Sequence, residues 1–401
     1  MMSQEEEAPL WTPNFILISL VNFQLVLVFY LLVIVIVGYS VAELSASTAQ
    51  AGLVSGLFIV GTLFGRLLIG KLLNRLGLKN TLVIGLTGFL LFSGLYLIPA
   101  KLEVLLGIRL IHGFMMGMAS TVLGTVIAQT IPATRRGEGI GYYSMSSTLG
   151  TAIGPFVGIW LMTNFNYQVI FIFTSIVALS CLICGLFIQP PRLKAGHSSA
   201  DSTSQSTSKL AQYIEPNALP IALIVLLVAT SYSGVLSFIH FYAKDINLVE
   251  AASFFFLMYA FAILLSRPFT GPLMDRKGEN IIIYPAIVIM ALGILLLSQA
   301  QNSVMLLVSA ALLGFGFGNI QSVCQTIAVK STTLQRMGLA TSTFFIALDA
   351  GLGFGPYFLG LLLDQIGYRQ LYLLSALLTL SCLVWYYLLH GSKAGKVQPS
   401  H

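Results

Sequence analysis

Residues 65–80 read "GRLLIGKLLNRLGLKN", and residues 266–280 read "SRPFTGPLMDRKGEN". Laid together, Arg66 falls on Arg267, Gly70 on Gly271, Arg75 on Arg276 and Gly77 on Gly278, always at an offset of 201. One position departs: Asn74 stands where Asp275 stands. The matches continue outward. Gly113 and Gly117 pair with Gly314 and Gly318, and Gly150, Gly154 and Pro155 pair with Gly351, Gly355 and Pro356. The two halves of the chain are therefore one unit written twice.

Composition says where such a unit resides. The chain has 401 residues, of which 57% are hydrophobic and only 8% charged, with a mean hydropathy of +0.90. Soluble globular proteins carry about 25% charged residues, so most of this surface must face lipid. Apolar runs occur at about 14–38, 49–70, 81–99, 103–130, 139–163, 168–189, 218–242, 250–274, 281–299, 303–329, 338–364 and 370–390, which makes twelve. Each must be helical, because the hydrocarbon core offers no water to satisfy backbone groups. The acidic start "MMSQEEEAP" lacks the positive charge of a secretory signal. The first run is also long enough to span a bilayer.

The break between the sixth and seventh runs, 191–217, is different in kind. From Ser198 to Ser208 eight of eleven residues are Ser or Thr, the composition of a flexible solvated connector. It divides the chain into a six-helix half at 1–190 and another at 218–401. The net charge of +6 could suggest nucleic acid until the basic residues are placed. Fourteen Lys and Arg fall in the breaks that share a side with both termini, and three (Lys101, Lys244 and Arg369) fall in the opposite breaks. That asymmetry is the positive-inside signature. It predicts cytoplasmic termini and no nucleic-acid partner.

Several apparent motifs carry no chemistry. "GRLLIGK" has the spacing of a phosphate loop, but Leu72 follows where Ser or Thr is required and no strand precedes it. Cys181 and Cys184 form a CxxC inside "ALSCLICGLF", without the polar surroundings that a metal or redox site needs. Clustered carboxylates for metal-bound pyrophosphate are missing, which argues against a membrane-embedded transferase. The reading is of no enzyme, no metal and no cofactor.

These features resemble the major facilitator superfamily over essentially the whole length. "GKLLNRLGLKN" is similar to that superfamily's loop motif between helices 2 and 3, G-x-L-x-D-R-x-G-x-[RK]. "RLIHGFMMGMAS" resembles its helix 4 motif, with Arg109 and Gly113 in place. "GYYSMSSTLGTAIGPFVG" resembles its helix 5 antiporter motif at Gly141, Gly150, Gly154, Pro155 and Gly158. The resemblance implies an all-α membrane protein with twelve transmembrane helices in two pseudo-symmetric halves. It further implies a proton-coupled exporter, similar to bacterial drug and metallophore exporters, in the cytoplasmic (inner) membrane of a bacterium and expected as a monomer. Its partners would be a small-molecule substrate, protons and the lipid bilayer.

The same resemblance makes the two loops latches between halves. The loop acid faces a helix N-terminus, where a carboxylate gains about 0.3–1 kcal/mol against the dipole. Asp275 can do this toward the fifth helix, near Arg135 and Arg136. Asn74 supplies no charge, although an Asn can still cap N–H groups at the start of the eleventh helix.

Ionisable residues within a membrane default to functional candidates. Asp349 is the carboxylate deep in an apolar span, "FFIALDAGLGFGP". Burial favours the neutral form of an acid, which suits a proton carrier or a cation site; a structural acid paired with a neighbouring helix is the alternative. Arg109 and His112 share a helix face. By the resemblance Arg109 moves protons or orients substrate, and a structural hydrogen-bond hub is the other reading. His112 titrates in a useful range, though an adjacent Arg disfavours its charged form. Helices 1, 4, 7 and 10 line the cavity in this superfamily. That nominates Asn22, Gln24, Tyr30, His112, Tyr232, His240, Asn319, Gln321 and Gln325 as lining residues or as interhelical hydrogen-bond partners. Export of a dedicated metabolite such as a metallophore, and proton-coupled uptake, remain open beside general drug export.

Overall fold

The structure is a computed structural model that describes residues 9–98, 101–191 and 213–394. Within them, the side chains of Thr48, Ala49, Gly70, Lys71, Asn74, Asp364 and Lys393 are not described. Residues 192–212 of the expected connector lie outside the described residues.

Twelve helices are long and apolar enough to cross a membrane: α1 (Pro13–Leu44), α2 (Gln50–Ile69), α3 (Arg75–Leu95), α4 (Leu102–Thr130), α5 (Ala133–Asn164), α6 (Tyr167–Phe187), α7 (Pro216–Asp245), α8 (Phe255–Lys277), α9 (Asn280–Ser298), α10 (Ser303–Lys330), α11 (Leu334–Leu363) and α12 (Gln365–Gly391). No strand occurs among the described residues. The twelve expected runs are these helices. Five starts differ by four to six residues: α3 begins at Arg75 instead of 81, α5 at Ala133 instead of 139, α8 at Phe255 instead of 250, α11 at Leu334 instead of 338 and α12 at Gln365 instead of 370. At α5 and α11 the difference is a polar 3-10 turn, Ala133–Arg135 and Leu334–Arg336, which an apolar pattern does not register.

The helix starts are chemically marked. The Thr12 hydroxyl accepts from the Phe15 N–H at 3.1 Å, with Pro13 in the first turn. Ser47 and Gln50 form a reciprocal capping box before α2, and Asn166 caps α6 by accepting from the Val169 N–H at 3.0 Å. Gly77, in the first turn of α3, breaks the helical run with φ 75° and ψ 171°, and Gly278 ends α8 with φ 85° and ψ 166°. The loop repeat is thus a repeat of backbone shape, at an angle that disfavours any residue with a Cβ.

The packing repeats as well. A Cβ at Gly113 of α4 would lie 1.9 Å from the Phe58 carbonyl oxygen of α2, and one at Gly314 of α10 would lie 2.2 Å from the Tyr259 carbonyl oxygen of α8. One turn on, Gly117 meets Thr62 and Gly318 meets Ile263. All four pairs correspond at the offset of 201. Small residues let helix backbones approach in lipid, where no hydrophobic force drives helices together.

The chain forms two compact units whose boundaries do not follow its midpoint. One comprises residues 1–132, 153–217 and 331–343; the other comprises 133–152, 218–330 and 344–401. The first residues of α5 thus group with α7–α10, and the first residues of α11 group with α1–α4.

Gly113→Ala and Gly314→Ala are expected each to destabilise the protein by about 1–3 kcal/mol through forced separation of the helix pair. Gly94→Ala, where an added Cβ meets nothing within 4 Å, should leave the melting temperature in detergent unchanged. Thermal unfolding of the three variants checks this.

Candidate functional site

The second loop is built around Asp275. It lies at the end of α8, and its side chain is 8% exposed. One carboxylate oxygen accepts from the Gly137 N–H at 2.8 Å, and the other accepts from the Glu138 N–H at 2.8 Å. These are orphan donors in the first turn of α5, so the acid neutralises both hydrogen-bond demand and dipole there. Lys330, at the end of α10, stands 3.5 Å from Asp275. Glycine makes the approach possible: a Cβ at Gly271 would lie 2.7 Å from the Glu138 Cα, and one at Gly137 would lie 2.8 Å from Asp275 Oδ1. Arg267, buried on α8, donates to the Gly318 carbonyl at 2.9 Å and to the Ser322 hydroxyl, which ties α8 to α10. Arg276 is exposed.

The first loop has the same shape and less charge. Arg66 is buried on α2, and its carbonyl accepts from the Ser342 hydroxyl of α11 at 2.6 Å. Leu73 faces Gly338, at the start of α11, as Met274 faces Gly137. Arg75 is exposed. Gly70 and the side chain of Asn74 lie outside the described residues. Lys79 caps the far end of α6, donating to the carbonyls of Gly185, Leu186 and Ile188 at 3.0, 2.6 and 2.7 Å.

The α5 glycines serve two neighbours. Gly154 and Gly158 lie against α1: a Cβ on Gly154 would be 2.9 Å from the Leu27 carbonyl oxygen, and one on Gly158 would be 3.2 Å from that of Leu31. Gly141 faces the Arg267 side chain, Gly150 is buried, and Pro155 lies inside the helix.

Arg109 and His112 form one cluster, and both are fully buried. Arg109 Nε donates to the Val54 carbonyl at 3.1 Å, Nη1 donates to the Tyr96 hydroxyl at 3.3 Å, and the guanidinium lies 4.4 Å from the Phe58 ring centroid. His112 Nδ1 is 2.9 Å from the same Tyr96 hydroxyl, and Nε2 is 3.2 Å from Ser93 Oγ. The close approach at Gly113 is what brings Phe58 over this pair. The arrangement has the form of a hydrogen-bond hub joining α2, α3 and α4.

Asp349 sits at the midpoint of α11, half-buried. The other acids of the described spans, Glu43, Glu103, Glu138, Asp245 and Asp275, all lie near a helix end. Of the lining candidates, Gln24 donates to Ser180 of α6 at 2.8 Å. Tyr232 is buried in a stack between Phe317 and Tyr259, with centroids at 4.1 and 5.4 Å. Asn319 is buried and donates to Ser266 at 3.2 Å and to the Phe315 carbonyl at 2.7 Å. Asn22 and Gln325 are buried, Tyr30 and Gln321 half-buried, and His240 exposed against Phe241. Among the described residues no group of three His, Cys, Asp or Glu side chains could hold a metal ion.

The sequence profile of the Major Facilitator Superfamily matches residues 18–298 and again 221–401. The chain belongs to that superfamily. It is 25% identical over 84% of its length to an MFS-type transporter of Methanocaldococcus jannaschii, covering 88% of that protein. It is 24% identical to the multidrug resistance protein MdtG of Klebsiella pneumoniae (83% of this chain, 81% of that one), and 21% identical to the staphylopine export protein of Staphylococcus aureus (86% and 88%). Its fold matches the human organic anion transporter MFSD10 with a TM-score of 0.74 at 15% identity, over 96% of this chain and all of that one. It is a multi-pass major facilitator transporter, and its relatives include a multidrug resistance protein and a staphylopine export protein.

Several residues of this major facilitator chain escaped the sequence reading. Tyr96 lies inside the apolar run 81–99, just past the end of α3, and Lys330 read only as a topology charge. Glu138 carried no sequence signal of its own, and it holds Arg135 in bonds of 2.8 and 3.0 Å. Asp275→Ala is expected to speed hydrogen exchange at the Gly137 and Glu138 amides roughly ten- to hundredfold, since each loses a charged acceptor. Asp275→Asn, which keeps one carbonyl acceptor, should give a smaller increase. Exchange mass spectrometry on the full chain resolves both.

Proposed function

We propose that this chain is a secondary active transporter that exports an amphiphilic small molecule from the cytoplasm in exchange for protons. Its two repeated loops, 65–80 and 266–280, and both termini lie on the cytoplasmic side, in the inner membrane of a bacterium, with two six-helix halves at 1–190 and 218–401 joined by a connector at 191–217. Substrate enters from the cytoplasm, the halves alternate their access, and external protons replace the substrate. The observation that carries the reading is Asp349: an acid halfway along a lipid-spanning helix is costly to keep unless it does work there, and loading and unloading a proton is the work a carboxylate does. The names of the relatives at 21–24% identity, multidrug resistance and staphylopine export, favour export over uptake.

Two features support the alternating step. Asp275 bridges α8 to α5 through bonds that can form and break, and Gly154 and Gly158 let α5 seal against α1. Arg109 and His112 are engaged inside their own helix bundle, which favours a positioning role and disfavours direct capture of an anionic substrate. A dedicated metallophore exporter is the second reading, on the staphylopine relative.

Efflux of a fluorescent amphiphile from cells producing the protein is expected to collapse when the pH gradient is dissipated. Asp349→Asn should abolish gradient-driven efflux or uncouple it from proton flux. Full proton-coupled antiport in that variant, measured in proteoliposomes, would remove Asp349 from the mechanism, and inward accumulation in the wild type would reverse the direction.

A further inference from the structure

The turns that open α5 and α11 correspond at the offset of 201: Ala133–Arg135 and Leu334–Arg336 are each a single 3-10 turn. Gly137 packs on Met274 and Gly338 on Leu73, which are corresponding positions too. The charges around them differ. At α5, Arg135 is held by Glu138, while Asp275 covers the helix N–H groups with Lys330 at 3.5 Å. At α11, the positions of Glu138, Asp275 and Lys330 are Leu339, Asn74 and Gln129. Both acids are gone and the arginine remains, as Arg336. A cation at the start of a helix is opposed by the dipole.

An acid arrives from elsewhere in the chain. Glu215, immediately before α7, accepts from Arg336 Nε at 2.5 Å through Oε2. Its other oxygen accepts from the Asn217 N–H at 3.4 Å, and its own N–H donates to the Thr343 hydroxyl of α11 at 2.9 Å. The Glu215 side chain is 2% exposed and that of Arg336 39%. A carboxylate desolvated this far is tolerated only with a charged or hydrogen-bonded partner. Glu215 therefore grips α11 at two points, Arg336 and Thr343, about two turns apart along the helix.

We propose that Glu215 is the acid of the first latch: a positioning residue that holds the start of α11 against α2 and α4 in place of the acids absent at positions 74 and 339. The proposal rests on the alternating-access reading above. It makes the entry into α7 part of the latch, so that releasing α11 requires breaking the Glu215–Arg336 pair.

The test uses the full chain in lipid nanodiscs, with the four native cysteines replaced and Ser342→Cys as a reporter. Ser342 is fully buried against the Arg66 carbonyl, so maleimide labelling there reads departure of α11 from α2. Glu215→Gln is expected to raise the labelling rate about tenfold, as loss of a charged hydrogen bond implies. Adding Leu339→Glu, which places an acid three residues after Arg336 as Glu138 follows Arg135, should bring the rate back to within about twofold of the parent. Unchanged labelling in Glu215→Gln, or no restoration by Leu339→Glu, overturns the proposal. If Glu215→Gln does not fold, Arg336→Gln is to show the same rise, and there Leu339→Glu restores nothing; parental labelling, or rescue without Arg336, overturns it equally. Efflux is scored on the same proteins. Its absence in the parent would remove the exporter reading, while the labelling comparison still decides the pairing.

Discussion

A helix that begins at a membrane boundary presents N–H groups with no partner inside the helix, and in this protein their satisfaction organises much else. At α5 the partner is Asp275, and the surrounding sequence follows from making that contact possible. Gly271 is small because the Glu138 backbone meets it, and Gly137 because the Met274 and Asp275 side chains do. Gly278 turns the chain just after the acid, at an angle that suits glycine. Lys330 and the Arg135–Glu138 pair complete the local electrostatics. Such charge-assisted bonds contribute modestly once the water they displace is counted, about 1.5–3 kcal/mol each. That strength suits the reversible contact proposed for it.

The equivalent place at α11 shows how a duplicated unit keeps its shape while its charges drift. The backbone shape, the close glycine and the arginine persist, while the acids do not. What a chain must keep is the electrostatic condition at the helix start, not the residue that meets it. Because Glu215 lies outside the repeat, it can meet that condition without being constrained by the symmetry of the two halves.

Much of this was legible in the sequence because the underlying physics is local. Lipid forces helices, so twelve apolar runs could be counted, and an offset of 201 exposed the duplication through glycines whose absent side chains matter. Asp275 stands out in the loop repeat, while its target on α5 was readable only through the resemblance of that loop to the superfamily's motif. Glu215 was not: it sits at the end of a polar connector, and its partner is 121 residues away, where no periodicity links them. Tyr96 and Ser93 were missed for a related reason, since a hydroxyl in or beside an apolar run looks neutral until a buried histidine is seen to use it. Gln24 and Asn319 were nominated as cavity lining or as interhelical hydrogen-bond partners, and each bonds a neighbouring helix; choosing between the two takes side-chain direction.

The backbone contacts at Gly113 and Gly314 have a mechanical consequence. Where a carbonyl oxygen of one helix rests in the notch of a glycine on another, neither sliding nor rolling is available without a clash, so α2 with α4, and α8 with α10 around Tyr259, behave as stiff struts. Pro155 in α5, Pro268 and Pro272 in α8, Pro285 in α9 and Pro356 in α11 lie in other places, and each removes a helix hydrogen bond. Stiffness and compliance are therefore set at separate points along the chain: the glycine notches fix a helix pair where its backbones touch, and the prolines loosen a helix elsewhere along its length.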